Sequence, residues 1–200
     1  MRKWIKYIIT GIIAIVFCVV YAYIDKAHNI YDTETDNSAY VAANVEGDSL
    51  ISQTFKCQEA NLDGLAAKVV VNSTSAGGKL TYLLEDAEGQ EVIKGEVPIS
   101  DIKSGRINKV KFDERIKNCK EKIYTVSFSA SGLNEGESIG VYYDPIGKQA
   151  GSLKVNGEEI TGTLIFRTIT HKFDIETFIM TLGFIIYFVV FFRILYKLFS

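Results

Sequence analysis

Hydrophobic and polar positions divide the chain into three zones. Uncharged apolar residues run unbroken from Tyr7 to Ile24 and again from Thr177 to Phe192, and the roughly 150 residues between them are polar and strand-patterned. A helix rises about 1.5 Å per residue and a bilayer core is about 30 Å thick, so a crossing helix needs about 20 apolar residues. The first run meets that requirement with 18 residues. The second has 16 before Arg193, whose guanidinium can reach the headgroups while Ile194, Leu195 and Tyr196 extend the apolar surface. Trp4, Tyr21, Tyr23, Tyr187 and Tyr196 fall near the expected interfaces, where amphipathic rings are favoured. The pattern predicts a basic tip and transmembrane helix over 1–24, and a second transmembrane helix with a short tail over 171–200.

The middle zone carries the period of strands. Residues 25–49 are polar, without sustained period, and read as a stalk or lead-in. Short apolar or alternating runs follow over 50–55, 65–71, 80–84, 91–97, 107–112, 123–130, 138–143, 152–155 and 163–169. In the run from Ile123 to Ala130, Tyr124, Val126, Phe128 and Ala130 share one face and Thr125, Ser127 and Ser129 the other, as in a strand with one buried side. Asp86-Ala87-Glu88-Gly89 and Asn156-Gly157 supply turn signals between neighbouring runs. Spacing of this kind predicts an all-β sandwich or jelly roll over 50–170, flanked by one transmembrane helix at each end.

Charge sets the orientation and narrows the partners. Arg2, Lys3 and Lys6 precede the first span and Arg193 and Lys197 close the second, so both termini are expected in the cytoplasm with the middle zone outside a plasma membrane. The same basic tip could open a signal peptide, but the apolar run is long for one and Tyr21-Ala22-Tyr23 is a poor cleavage site, so a retained anchor is expected. With those five cations set aside, residues 25–175 hold 17 of the 22 Lys and Arg against 23 of the 24 Asp and Glu. An acidic domain repels phosphate backbones, which argues against nucleic acid.

No pattern for catalysis emerges. His28 and His171 have no ligand partner at metal-binding spacing, no Gly-x-Ser-x-Gly turn occurs, and the adjacent carboxylates 85–86, 113–114 and 158–159 point to opposite faces of a strand. Asp32, Glu34 and Asp36 alternate like calcium ligands but lack the glycine and closing glutamate of such a loop. The expectation is a protein without catalytic residues, metal or cofactor. Cys18 lies in the first span, while Cys57 and Cys119 both lie in the presumed exterior and are candidates for a disulfide or for two independent thiols. Asn72-Ser73-Thr74 has the form of a glycosylation sequon. Tyr142-Tyr143-Asp144 puts rings and a carboxylate at a strand-to-loop junction, the residue types that hold a sugar; alternatively Tyr143 faces the core and Tyr142 packs on a neighbouring strand.

The frame Ser52-Gln53-Thr54-Phe55, Leu62-x-Gly64-Leu65, Leu80-Thr81-Tyr82-Leu83-Leu84-x-Asp86-x-x-Gly89 and Tyr124-Thr125-Val126-Ser127-Phe128-Ser129 resembles extracytoplasmic jelly-roll domains of Gram-positive bacterial membrane proteins. Gly151-Ser152-Leu153-x-Val155-Asn156-Gly157 with Thr163-Leu164-Ile165-Phe166 resembles their closing hairpin. Those domains are similar to galactose-binding-like and carbohydrate-binding modules and accompany membrane proteins of surface polysaccharide synthesis. The resemblance implies a non-enzymatic accessory protein of the cell envelope. Its sandwich would bind a glycan or a partner, and its helices would dock on a larger membrane protein such as a glycosyltransferase or polysaccharide exporter. A subunit of a two-span homo-oligomeric channel or transporter is the alternative, and an envelope enzyme with an unrecognised site is a third.

Overall fold

The computed structural model describes residues 2–47 and 49–199; Met1, Ser200 and Asp48 of the lead-in lie outside the described residues, as do the side chains of Arg2 and Lys3 of the basic tip. The chain divides into two compact units, Met1–Lys26 with His171–Ser200, and Ala27–Thr170.

The first unit is built on two helices that pack on each other, α1 (Arg2–Tyr21) and α2 (Ile175–Phe199). Both are long and apolar enough to cross a membrane, with mean hydropathy 2.1 over Trp4–Tyr21 and 2.4 over Ile175–Phe199. Their large apolar side chains, Phe17, Ile13, Phe184 and Phe192 among them, are exposed. The α1 helix stops at Tyr21, three residues before the end of the apolar run, where Ala22 N–H closes the last turn on the Cys18 carbonyl at 3.0 Å. Tyr23 and Ile24 instead open a strand, β1 (Tyr23–Asn29), as aromatic and β-branched residues favour. The α2 helix begins two residues before Thr177 because Asp174 caps it, accepting from Thr177 N–H at 2.8 Å and Thr177 Oγ1–H at 2.7 Å. Lys26 pairs with the same carboxylate, and these donors, Lys26 first, hold Asp174 down to about 2. The helix continues past Phe192 to Phe199, since Arg193 and Lys197 are good helix formers.

The second unit is a sandwich of two antiparallel sheets. One contains β1, β2 (Val41–Val45), β4 (Asn61–Asn72), β7 (Arg106–Lys117), β9 (Ser138–Asp144), β12 (Thr163–Leu164) and β13 (Phe166–Phe173). Its order is β1-β13-β4-β9-β12, with β2 also on β9 and β7 also on β4. Residues 23–26 of β1 and 171–173 of β13 belong to the first unit. The other sheet is ordered β11 (Glu158–Ile160), β10 (Leu153–Val155), β3 (Leu50–Lys56), β8 (Ile123–Ser131), β5 (Lys79–Glu85), β6 (Glu91–Pro98). The lead-in is therefore not a stalk. It supplies β1 and β2, and β2 reads as irregular in sequence because only Val45 of its five residues is fully buried; pairing with β9 holds it.

Strand alternation places the core. Tyr124, Val126, Phe128 and Ala130 of β8 are buried as the period of two requires, facing Leu65, Val69, Ile139 and Val141 of the opposite sheet. Phe55 and Phe166 meet edge to face across the sandwich at 5.2 Å, and Tyr82 stacks on Phe112 at 6.1 Å. The Asn156-Gly157 turn has φ +52° and +84°, the primed geometry that matches strand twist, and sets the β10–β11 register with Val155 opposite Glu158. Gly89 ends the Asp86 turn at φ +77°, while Asp86 Oδ1 accepts from the N–H groups of Glu88 and Gln90.

The run Thr163–Ile169 is not one strand but two, split at Ile165. β9 pairs with β4 over Val69–Asn72 only, and beyond that point the two strands part. Ile165 fills the fork: its N–H donates to Tyr142 O at 2.8 Å and its carbonyl accepts from Lys68 N–H at 2.9 Å. Gln53, fully buried on β3, reaches across from the other sheet to accept from Leu164 N–H at 3.1 Å, and its own amide donates to Thr54 O at 3.0 Å. At the opposite end of the sandwich Glu137 collects the 73–75 loop, accepting from Ser73 Oγ, Thr74 N–H and Oγ1–H, Asn134 N–H and the Ser75 hydroxyl. The hydroxyls of the Asn72 sequon are thus engaged by Glu137.

Two stability predictions follow from these polar anchors. Gln53→Leu leaves Leu164 N–H buried without an acceptor and should destabilise the sandwich by about 1–3 kcal/mol in denaturant unfolding, although it adds apolar volume. A neutral or stabilising result would show that the amide has no anchoring role. The Glu137 carboxyl is held well below its usual range, first by Ser75 and then by the Asn134 and Thr74 N–H groups. A carboxylate lowered on folding contributes stability above its unfolded pKa of about 4.3 and loses it as pH falls toward the folded value. Glu137→Gln should therefore lower the melting temperature at pH 7, and the gap from the parent should narrow as pH drops below about 4.

Candidate functional site

The fork at Ile165 sets two side chains on the face of the seven-stranded sheet turned away from the core. On β4, Leu65, Ala67 and Val69 are buried inward while Lys68 points out; on β9, Ile139 and Val141 are buried and Tyr142 points out. The Lys68 ammonium lies 4.7 Å from the centroid of the Tyr142 ring and 5.1 Å from that of Tyr40. Tyr40 stands edge-on to Tyr31 at 6.2 Å, and the Arg167 guanidinium lies 6.0 Å from the Tyr31 ring with Nη2 donating to its hydroxyl at 3.0 Å. Rings and cations alternate in one connected platform: Tyr142, Lys68, Tyr40, Tyr31, Arg167.

Local turns bring Tyr31 and Tyr40 to this face. Asp32 Oδ1 accepts from Glu34 N–H at 2.9 Å, and Asp36 Oδ1 accepts from Ser38 N–H at 2.9 Å to cap the single turn Asn37–Ala39. The Ser38 bonds lower the Asp36 carboxyl. Asp32 and Asp36 thus serve as turn caps, and among the described residues no group of three or more His, Cys, Asp or Glu is placed to hold a metal ion. Burial raises the Tyr40 phenol, and the neighbouring Tyr31 and the carboxylates of Asp144, Asp32 and Asp36 raise it further, so it remains a protonated donor at neutral pH. Beside the platform lies a hollow of about 320 Å³ lined by Tyr31, Asn37, Tyr40, Lys68, Arg106 and Arg167 together with Gly105, Ile107 and Ile165.

The structure separates the three residues that the sequence grouped. Tyr142 joins the platform. Tyr143 turns to the other face, packs against the core and lines a different hollow of about 450 Å³ with Val155, Asn156 and Ile160. Asp144 is fully buried and serves its own loop, with Oδ1 accepting from Ile146 N–H at 3.0 Å and Gly147 N–H at 2.9 Å. Gly147 is required there, since a Cβ would stand 2.0 Å from Asp144 Oδ2. A larger hollow of about 650 Å³, which His28 lines, mixes Asp32 and Glu34 with Lys56 and Lys148 and has Tyr31 as its one phenol. His171 lies in the first unit, with Nδ1 2.8 Å from Asp25 Oδ1.

Cys57 and Cys119 are free, fully buried thiols; Cys57 Sγ–H donates to Glu59 O at 3.3 Å and Cys119 Sγ–H to Ile116 O at 3.2 Å. Backbone bonds tie their segments: Cys57 N–H to Lys122 O at 2.9 Å, Glu121 N–H to Cys57 O at 2.8 Å, and Cys119 N–H to Ala60 O at 2.9 Å. Burial pushes the Cys57 thiol up to about 11. Cys18, in α1, is a third free thiol.

Arg167, Tyr31, Tyr40 and Lys68 went unremarked in the sequence. Lys68 and Arg167 are single cations interrupting otherwise apolar strand runs, and Tyr31 and Tyr40 are the two rings of a polar lead-in. Those are the signals that could have pointed to them.

No known family model and no curated protein matches the chain. Among solved structures it is similar to the VP2 subviral particle of infectious bursal disease virus, at 12% identity and TM-score 0.30 over 73% of this chain and 40% of that one. The Gt strain of the same virus gives 14% identity and TM-score 0.32 over 74% and 38%. The chain spans about two fifths of the length of those viral chains. Likeness at that level carries no argument, and the β-sandwich assignment rests on the strand pairing itself.

Proposed function

We propose that this chain is a non-enzymatic accessory protein of a bacterial cell envelope, anchored in the plasma membrane by α1 and α2 with both termini cytoplasmic. Its sandwich, a jelly roll of the galactose-binding-like kind, stands outside and presents the tyrosine and cation platform to a glycan. The helices dock on a larger membrane protein of surface polysaccharide assembly, a glycosyltransferase or an exporter. The observation that carries the reading is the platform. A solvent-facing sheet surface has no packing need for three phenol rings, yet Tyr31, Tyr40 and Tyr142 are held in fixed contact with Lys68 and Arg167 there. Rings of this kind stack on the apolar faces of pyranoses, and neighbouring donors bond their hydroxyls. Membrane anchoring is supported by the exposed apolar surface of both helices, which water disfavours at about 25 cal/mol per Å².

The intact chain purified from membranes in mild detergent should bring down a polysaccharide-assembly membrane protein in stoichiometric amount, identified by mass spectrometry. Recovery alone as a defined homo-oligomeric ring would overturn this reading in favour of a channel or transporter subunit.

An exterior location also makes Cys57 and Cys119 a disulfide pair. The two thiols give up two electrons and two protons to the disulfide of a thiol oxidoreductase, which leaves as a dithiol. Both thiols are fully buried in the folded sandwich, out of reach of an oxidoreductase, so the bond forms while the strands are still assembling. Closing a loop of about 60 residues would contribute roughly 4 kcal/mol. Labelling of the denatured chain with a thiol-specific polymer should add one label, at Cys18, before reduction and three after; three labels before reduction would sink the pairing.

A further inference from the structure

Some cations of the sandwich have carboxylates beside them. Lys56 pairs with Glu121, Lys79 with Glu96 and Arg115 with Asp63. The hollow beside the platform departs from this. Three of its nine lining residues are cations, Lys68, Arg106 and Arg167, and none is acidic. Among the described residues, no carboxylate forms an ion pair with any of the three. The nearby acids are committed elsewhere: Asp32, Asp36 and Asp144 each accept N–H groups of their own turns.

Two of these cations are half-buried, which makes the missing counter-charge costly. Lys68 is held between two rings instead, and its ammonium cannot swing away to solvent without giving up both contacts. Arg167 is fixed by Tyr31, and its Nε–H is shielded from water with no acceptor in the protein. A cluster of like charge, with Lys68 and Arg167 fixed in place and none of the three neutralised, in a domain whose overall charge is acidic, is complementary to an anion. Arg is suited to planar or tetrahedral oxyanions, and Lys68 supplies a point charge beside it.

Resting on the glycan reading above, we infer that the hollow takes an acidic glycan, a sugar bearing carboxylate or phosphate, with its ring on the tyrosines and its anionic substituent among Lys68, Arg106 and Arg167.

The test uses the full chain in nanodiscs of zwitterionic lipid, titrated calorimetrically at low salt with three polymers: polygalacturonate, poly(glycerol phosphate) and uncharged dextran. Binding of at least one anionic polymer and not of dextran is expected, and the one that binds identifies the substituent. That binding should weaken about tenfold in Lys68→Gln and in Arg106→Gln, which change exposed or half-exposed side chains, and stay unchanged in Lys154→Gln on the other sheet. Dextran bound as well as the anionic polymers, with Lys68→Gln and Arg106→Gln both unaffected, would overturn the charge assignment and leave the glycan reading standing. Binding of no polymer would overturn both.

Discussion

The structure depends on the need to satisfy every buried backbone polar group of the four residues Thr163 to Phe166, which lie where the two sheets and two diverging strands meet. Thr163 Oγ1 accepts from Ala150 N–H at 3.1 Å and donates to Lys148 O at 3.2 Å. Leu164 N–H goes to Gln53, Ile165 bonds Lys68 on one side and Tyr142 on the other, and Phe166 O accepts from Ile30 N–H at 3.2 Å. The partners come from three strands, the 145–152 loop and the segment after β1. Sequence-distant segments are therefore fixed to one another through a stretch that is itself nearly free of solvent.

This arrangement explains why core and candidate site are not separate designs. Phe166 presents its ring inward to Phe55, and the residue before it separates Lys68 from Tyr142 outward. A single continuous ladder between β4 and β9 would bring those two strands to about 4.8 Å, with the lysine stem directly against the tyrosine. The inserted residue widens the gap and leaves the ammonium above the ring, within reach of Tyr40 as well.

Local rules made much of the sandwich legible. The alternation of β8, the Asn156-Gly157 hairpin and the Asp86–Gly89 turn are set by residues within ten positions of each other, and the structure has them as the pattern requires. What the sequence concealed was non-local. β2 has one fully buried residue, so its strand character comes from β9 rather than from its own pattern. The split at Ile165 is invisible in an unbroken run of Thr, Leu, Ile and Phe, because it is imposed by strands 20 and 100 residues away. Tyr142, Tyr143 and Asp144 separate as the core-facing alternative for Tyr143 required: consecutive strand residues face opposite ways, and a carboxylate at a strand end is readily taken by its own loop.

The composition of the platform follows from the same geometry. An outward position on a central strand is flanked by neighbours on both sides, so a long side chain there is partly desolvated whatever its type. For Lys68 and Arg167 that environment favours rings over water as the first contact, since a quadrupole face returns part of the lost hydration without fixing a counter-ion. Carboxylates at the same positions would have neutralised the cations and closed the surface. Tyrosines instead hold the charges in register without neutralising them, and that combination, ordered but unneutralised, sets this face apart from the ion pairs Lys56–Glu121 and Lys79–Glu96.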